Sequence, residues 1–138
     1  MKLFLDSSAL VKRFVPEKGS EAVLELCAGA DELGLSVLSH VEIFSALCRL
    51  RREGKLTGPI YATAKREVVQ DLRDAVVCGV TETGVAQAIR LLEENTLRAM
   101  DAMHVAAALE WGAELFVSGD AGQLRAAKKA GLKVNALV

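Results

Sequence analysis

Four acidic residues in this chain occupy positions where α/β proteins concentrate their chemistry: Asp6, Glu42, Asp101 and Asp120. Asp6 directly follows the apolar run Lys2–Leu5, which reads as a short buried strand. Asp120 follows a second such run, Leu115–Ser118, just ahead of a helical stretch. Glu42 falls in the first turn of a strong amphipathic pattern opened by Ser39, and Asp101 near the start of the helix Ala99–Trp111. Carboxylates gathered at one place cannot all stay ionised unless a cation neutralises them. An all-oxygen ligand set selects a hard divalent ion, Mg2+ or Mn2+, over zinc. Such an ion activates water and clamps a phosphodiester oxygen, so convergence of the four acids would support metal-assisted phosphodiester hydrolysis.

Each acid also has a local reading that needs no site. Ser39-His40-Val41-Glu42 is a capping box, in which Glu42 would bond the Ser39 backbone N–H, and Glu42 shares a polar helix face with Ser45, Arg49 and Glu53. Asp120 with Gln123 fits the N-cap of the following helix, and Asp6 fits a turn with Ser7 and Ser8. Asp101 is harder to explain locally. At ~100° per residue it lies opposite Glu110, which marks the solvent side, so it points inward alongside Val105 and Ala108. No Arg or Lys shares that inward face, and a buried carboxylate needs a cation, a donor or a proton. His104, three residues on, is within helical reach of Asp101 and reads as a hydrogen-bond partner, a substrate contact or a packed core histidine. His40 has no assigned role.

The elements that must position these residues alternate along the chain. After the strand Lys2–Leu5, Ser7 and Ser8 read as N-caps of a helix over Ala9–Val15, broken by Pro16 and Gly19. Ser20–Ala28 reads as a helix, Gly34–Leu38 as a short apolar run, and Ser39 to about Arg52 as a helix closed by Gly54. Thr57 with Pro59 starts a helix to about Asp74, and Ala75–Val80 is a β-branched strand candidate. Thr81 or Thr83 caps a helix through Leu92, and Gly112 stops the one ending at Trp111. After Leu115–Ser118 come a helix over Gly122–Ala130 and a last strand over Lys133–Leu137. Strands separated by helices imply a three-layer α/β/α sandwich with a central parallel sheet, whose sites collect at the C-terminal ends of the strands.

Bulk properties narrow the function classes. A chain of 138 residues fits one domain, taken as residues 1–138. The net charge of −1 excludes holding nucleic acid by overall positive charge, so any polynucleotide contact must use a local basic patch or a bridging metal. One Trp, one Tyr and four Phe are too few for a base-stacking platform. The widely spaced Cys27, Cys48 and Cys78 form no C-x-x-C pair and read as reduced core thiols. No run approaches the roughly 20 apolar residues of a membrane span, and Asp6 interrupts the N-terminal apolar stretch, so a cytoplasmic location is expected.

Four stretches in order carry a family likeness: Leu5-Asp6-Ser7-Ser8-Ala9-Leu10-Val11-Lys12, Val41-Glu42-Ile43-Phe44-Ser45-Ala46-Leu47, Asp101-Ala102-Met103-His104-Val105-Ala106-Ala107-Ala108, and Phe116-Val117-Ser118-Gly119-Asp120 with Ala126-Ala127 and Gly131-Leu132. In these the chain resembles the PIN-domain ribonucleases and, among them, the small VapC-type toxins of prokaryotic toxin–antitoxin pairs. The resemblance implies a PIN-like fold in which Asp6, Glu42, Asp101 and Asp120 bind one or two Mg2+ or Mn2+ ions and catalyse RNA hydrolysis that leaves a 5′-phosphate and a 3′-hydroxyl. It also implies auxiliary roles for Ser118 and for Ser8 or Ser7, a homodimer, and a small antitoxin protein that covers the cleft. RNA as the substrate rests on this resemblance, since the chemistry needs no 2′-hydroxyl. Arg49 and Arg52, on the Glu42 side of their helix, and Lys12 and Arg13 beside Asp6 are the candidate RNA-backbone contacts. Many relatives carry a further acid soon after the last one. Here Asp120-Ala121-Gly122-Gln123 has none, so one ion carries over more firmly than two.

Three alternatives have distinct signatures. A haloacid dehalogenase-like phosphatase needs a second Asp two residues after the first, where this chain has Ser8. A receiver-type signalling domain needs a mid-chain strand ending in Asp and a Lys after the late strand, and neither is present. A PIN fold that only binds RNA or protein remains open, although all four acids are retained.

Overall fold

The computed structural model describes residues 1–137. Five parallel strands form one sheet in the order β3-β2-β1-β4-β5, with β1 Lys2–Leu5, β2 Glu32–Ser36, β3 Val76–Cys78, β4 Leu115–Ser118 and β5 Val134–Ala136. The central strand β1 has no solvent-facing side. Leu3, Phe4 and Leu5 are all fully buried, which is why its sequence is a continuous apolar run rather than an alternation.

The pleat sends alternate β1 residues to two cores. Leu3 and Leu5 join Leu35 and Val117 under Ile43, Leu47 and Val68, which come from helices α3 (Leu38–Arg52) and α4 (Gly58–Asp74), with α1 (Ser7–Leu10) and α2 (Ser20–Gly29) completing that layer. Phe4 and Phe116, stacked with ring centroids 5.9 Å apart, turn to the other face. There they meet Ala88, Ala102, Val105, Ala106 and Ala127 from α5 (Glu82–Glu94), α6 (Ala99–Trp111) and α7 (Ala121–Lys129). The result is the α/β/α sandwich expected from the alternation of elements. No described helix is long and apolar enough to cross a membrane.

Several local expectations are corrected. The first helix is capped by Asp6, whose side chain accepts from the Ala9 N–H, and not by Ser7 or Ser8; it runs only to Leu10 before tightening into a 3-10 turn over Val11–Arg13. β2 lies two residues earlier than Gly34–Leu38, because Glu32 and Leu33 pair with Lys2 and Leu3. β3 is shorter than Ala75–Val80. The third helix starts at Leu38, so Ser39 is a buried helical residue and the capping box does not form. Thr57 caps α4, Thr81 rather than Thr83 caps α5, and Gly112 terminates α6 in the left-handed conformation. Cys27, Cys48 and Cys78 are free and half-buried.

The topology fixes where a site can form. From β1 the chain moves to β2 and β3 on one side and returns to β4 and β5 on the other, so the strand order reverses between β1 and β4. The carboxyl ends of those two strands flank the crevice at such a switch point. Asp6 ends one and Ser118-Gly119-Asp120 the other.

One glycine is demanded by packing. A Cβ at Gly34 would lie 2.6–2.8 Å from three ring carbons of Trp111, at the end of α6 against β2. Gly34→Ala is expected to destabilise the protein by roughly 1–3 kcal/mol, a drop of several degrees in Tm by thermal denaturation. An unchanged Tm would mean that Trp111 is not seated on β2.

Candidate active site

Asp6 is fully buried at the end of β1, and burial pushes its carboxyl above the ordinary carboxylate range. Hydrogen bonds from Ser118, the Ala9 N–H and Ser8 oppose that rise. Ser118 Oγ donates to Oδ2 at 2.7 Å, Ser8 Oγ lies 2.8 and 2.9 Å from the two carboxylate oxygens, and Ala9 N donates to Oδ1 at 2.9 Å. No basic side chain among the described residues hydrogen-bonds to this carboxylate.

The same two hydroxyls accept from the next loop. Ser118 Oγ takes the Asp120 N–H at 2.9 Å, and Ser8 Oγ takes the Gly119 N–H at 3.0 Å. The donors of Asp6 therefore also fix the backbone that carries Asp120. Asp120 caps α7, its Oδ1 accepting from the Gln123 N–H at 3.0 Å, and this is the capping role expected for it.

Asp101 keeps 13 % of its side chain exposed and has two partners from outside its inward helix face. The amide Nε2 of buried Gln123 donates to Oδ1 at 3.0 Å, and Arg98, three residues upstream at the N-cap of α6, reaches Oδ2 at 3.2 Å. Arg98 also stands 3.8 Å from Oδ2 of Asp120. The fully buried acid is thus Asp6, while Asp101 lies at the margin of the core.

Glu42 has exchanged its capping role for side-chain partners. Buried His104 donates through Nε2 to Oε1 at 2.5 Å, and Ser7 Oγ donates to the same oxygen at 2.9 Å. Ser39, displaced into the helix, lies 2.9 Å from Ser7 Oγ and completes the cluster. The bond from His104 is the main cause holding the Glu42 carboxyl below its ordinary value, with the charge of Arg98 a smaller one. His104 thus pairs with Glu42 and not with Asp101. Its i,i+3 spacing to Asp101 gave no sign of this, because the partner lies 62 residues away. Nδ1 of His104 and Oε1 of Gln123 are buried without partners among the described residues.

The expected basic contacts divide into two groups. Arg13 is held by Asp71 at 2.6 and 2.8 Å, and Lys12 by Glu17 at 3.1 Å and the Lys18 carbonyl at 2.7 Å. Arg49 is exposed, only loosely paired with Glu53 at 4.0 Å, and lines a cleft of about 460 Å³ with Ser8, Lys12, Gly119 and Asp120. Arg52 is exposed.

The donor chemistry suits a hard divalent cation. Asp101 and Asp120 each commit Oδ1 to Gln123 and turn Oδ2 to a cationic guanidinium, while buried Asp6 has no salt-bridge partner among the described residues. As placed, no three His, Cys, Asp or Glu side chains among the described residues form a ready-made metal cage. The acids are linked in pairs, Asp6 to the Asp120 loop through Ser118, and Asp101 to Asp120 through Arg98.

Comparison with known proteins gives concordant matches. The sequence model of the PIN domain family matches residues 3–129. The chain is 32 % identical over 110 residues to ribonuclease VapC45 and to ribonuclease VapC49 of Mycobacterium tuberculosis, covering 80 % of this chain and 76 % of each relative. Among solved structures, PAE2754 from Pyrobaculum aerophilum superposes with a TM-score of 0.72 at 21 % identity, covering 97 % of this chain and 83 % of the other. VapBC2 from Rickettsia felis, bound to a DNA fragment from its promoter, gives 0.70 at 13 % identity over 99 % and 98 % of the two chains. A toxin–antitoxin complex from Klebsiella pneumoniae gives 0.69 at 14 % identity over 99 % and 98 %.

The buried state of Asp6 makes a prediction about stability. A carboxyl whose folded value is raised binds its proton more tightly folded than unfolded, so its ionisation costs stability as pH rises from the unfolded value through the folded one. In EDTA at pH 7–8, Asp6→Asn should raise Tm by a few degrees, with the gain shrinking toward pH 4. A lower Tm for the variant would mean that the three hydrogen bonds to the carboxylate outweigh its burial.

Proposed function

The chain belongs to the PIN domain family, and from that premise we propose that it is a divalent-metal-dependent endoribonuclease acting as the toxin of a type II toxin–antitoxin pair. The observation that carries this reading is the buried, cation-poor carboxylate of Asp6, tied by Ser8 and Ser118 to the loop of Asp120 at the sheet's switch point.

In this reading Asp6, Asp101, Asp120 and Glu42 hold Mg2+ or Mn2+. When bound, the ion supplies positive charge to the scissile phosphodiester and to the attacking water. Ser8 and Ser118 fix the orientation of Asp6, and His104 with Ser7 fixes that of Glu42, so the ligand geometry is preorganised on rigid elements. Arg49, and beyond it Arg52, contact the RNA backbone along the cleft that starts at Asp120. Lys12 and Arg13 are proposed for the same role but would first have to leave their present partners. The relatives named as ribonucleases support RNA as substrate.

The toxin–antitoxin structures of the same fold support a small protein antitoxin as a partner. Exposed apolar side chains are compatible with further burial against partners, among them Val41 on α3 and Val85 and Ile89 on α5. A homodimer is one such arrangement. Sedimentation should give a dimer mass at micromolar protein, and a concentration-independent monomer would remove it.

Cleavage of total RNA is the direct assay. Activity should require Mg2+ or Mn2+, disappear in EDTA, and leave 5′-phosphate ends; Asp6→Asn and Asp101→Asn should each reduce it by about 100-fold or more. Wild-type rates in both variants would show that the acids are not the site. In the same assay, Arg49→Ala with Arg52→Ala should weaken RNA binding evenly across sequences and flatten its salt dependence, and an unchanged salt slope would exclude them.

A further inference from the structure

Arg98 was singled out by no feature of the sequence, yet its guanidinium is the one cation that bridges two of the four acids among the described residues. It comes from the N-cap of α6, where its side chain caps nothing, and reaches Asp101 on its own helix and Asp120 on the loop before α7. The atoms it reaches are informative. Oδ1 of Asp101 and Oδ1 of Asp120 are both committed to Gln123, and Arg98 contacts the remaining Oδ2 of each. Those two oxygens are the ones left for a cation.

The hold is weak by construction. Arg98 is 83 % exposed, against 13 % for Asp101 and 32 % for Asp120; it makes one long hydrogen bond, 3.2 Å to Asp101, and only a charge contact, 3.8 Å to Asp120. Exposed pairs of this kind each shift an equilibrium by only about two- to fivefold. A doubly charged ion with direct oxygen ligation outcompetes them readily. Once released, the long side chain remains tethered beside the carboxylates at the surface. Its planar fork of N–H donors matches phosphate oxygens better than a lysine ammonium does.

Resting on the reading of the four acids as ion ligands, we propose that Arg98 is a two-position residue: counterion to Asp101 and Asp120 in the metal-free protein, and ligand of an RNA backbone phosphate once a divalent ion has taken those oxygens. An Arg that simply decorated the surface would change neither metal affinity nor substrate affinity when removed. An Arg that preorganised the two acids for the ion would weaken metal binding when removed, the opposite sign to that expected here.

The test uses the full chain and the variants Arg98→Gln and Arg98→Lys. Free Mn2+ is titrated by electron paramagnetic resonance, which reads affinity without any turnover. Arg98→Gln should bind Mn2+ about three- to tenfold more tightly than wild type, since it removes both competing contacts. At saturating Mn2+, its KM for an oligoribonucleotide should rise about tenfold with kcat changed by no more than about twofold, the signature of a lost charge-assisted phosphate contact. Arg98→Lys should keep part of the KM, because the charge survives and the fork does not. Unchanged or weaker Mn2+ binding by Arg98→Gln overturns the counterion role, and an unchanged KM overturns the phosphate role. If wild-type protein binds no Mn2+, the four-acid reading itself fails, and the inference falls with it.

Discussion

A carboxylate buried at the carboxyl end of the central strand is the constraint around which this molecule is arranged. Asp6 is displaced from water because β1 is covered on both faces, and hydrogen bonds donated by Ser8, Ser118 and the Ala9 amide offset part of the cost that burial places on its ionised form. Those donors are not independent ornaments. Ser8 sits in the helix that Asp6 itself caps, and Ser118 is the last residue of the neighbouring strand. Each hydroxyl passes its acceptor lone pair to an amide of the β4–α7 loop. One buried carboxyl thereby couples β1, α1, β4 and the start of α7, and the cost of burying its ionised form is the reason a nearby cation would be stabilising.

The acids around that anchor are held by two different chemistries. Glu42 is fixed by a buried imidazole and a pair of serines, a local network that restrains its carboxylate without placing a permanent cation on it. Asp101 and Asp120 are held by an amide and an exposed guanidinium. The first arrangement is anchored by buried Ser39 and His104, although the Glu42 side chain itself stays 35 % exposed. The second is adjustable, since Arg98 lies in solvent.

Much of this was legible in the sequence, and what was not legible has a common cause. The alternation of apolar runs and helical patterns gives the sandwich, and the continuous Leu3-Phe4-Leu5 run identifies a strand buried on both faces. Strand ends then nominate Asp6 and Asp120. The errors are at places where a tertiary partner overrides a local motif. Ser39-His40-Val41-Glu42 has every element of a capping box, but Ser7 and His104 offer Ser39 and Glu42 partners inside the core, and the helix starts one residue earlier. Asp101 lacks a donor only when its own helix face is counted alone, because Gln123 approaches from α7 and Arg98 from the residue before the helix. Gln123 carried a signal, in its place three residues after Asp120, but that spacing spoke for capping and not for a side-chain bond to a third element.

Gln123 also bears on the charge balance beside Asp101 and Asp120. It stands in the first turn of α7, and being an amide it adds no negative charge there. It instead occupies one oxygen of Asp101 with its side chain and one of Asp120 with its backbone N–H. Each of the two carboxylates turns its other oxygen, Oδ2, toward the same guanidinium. The Asp101–Asp120 pair is thus offset by an amide and one exposed guanidinium, whereas the hydrogen bonds at buried Asp6 come from two hydroxyls and one backbone N–H.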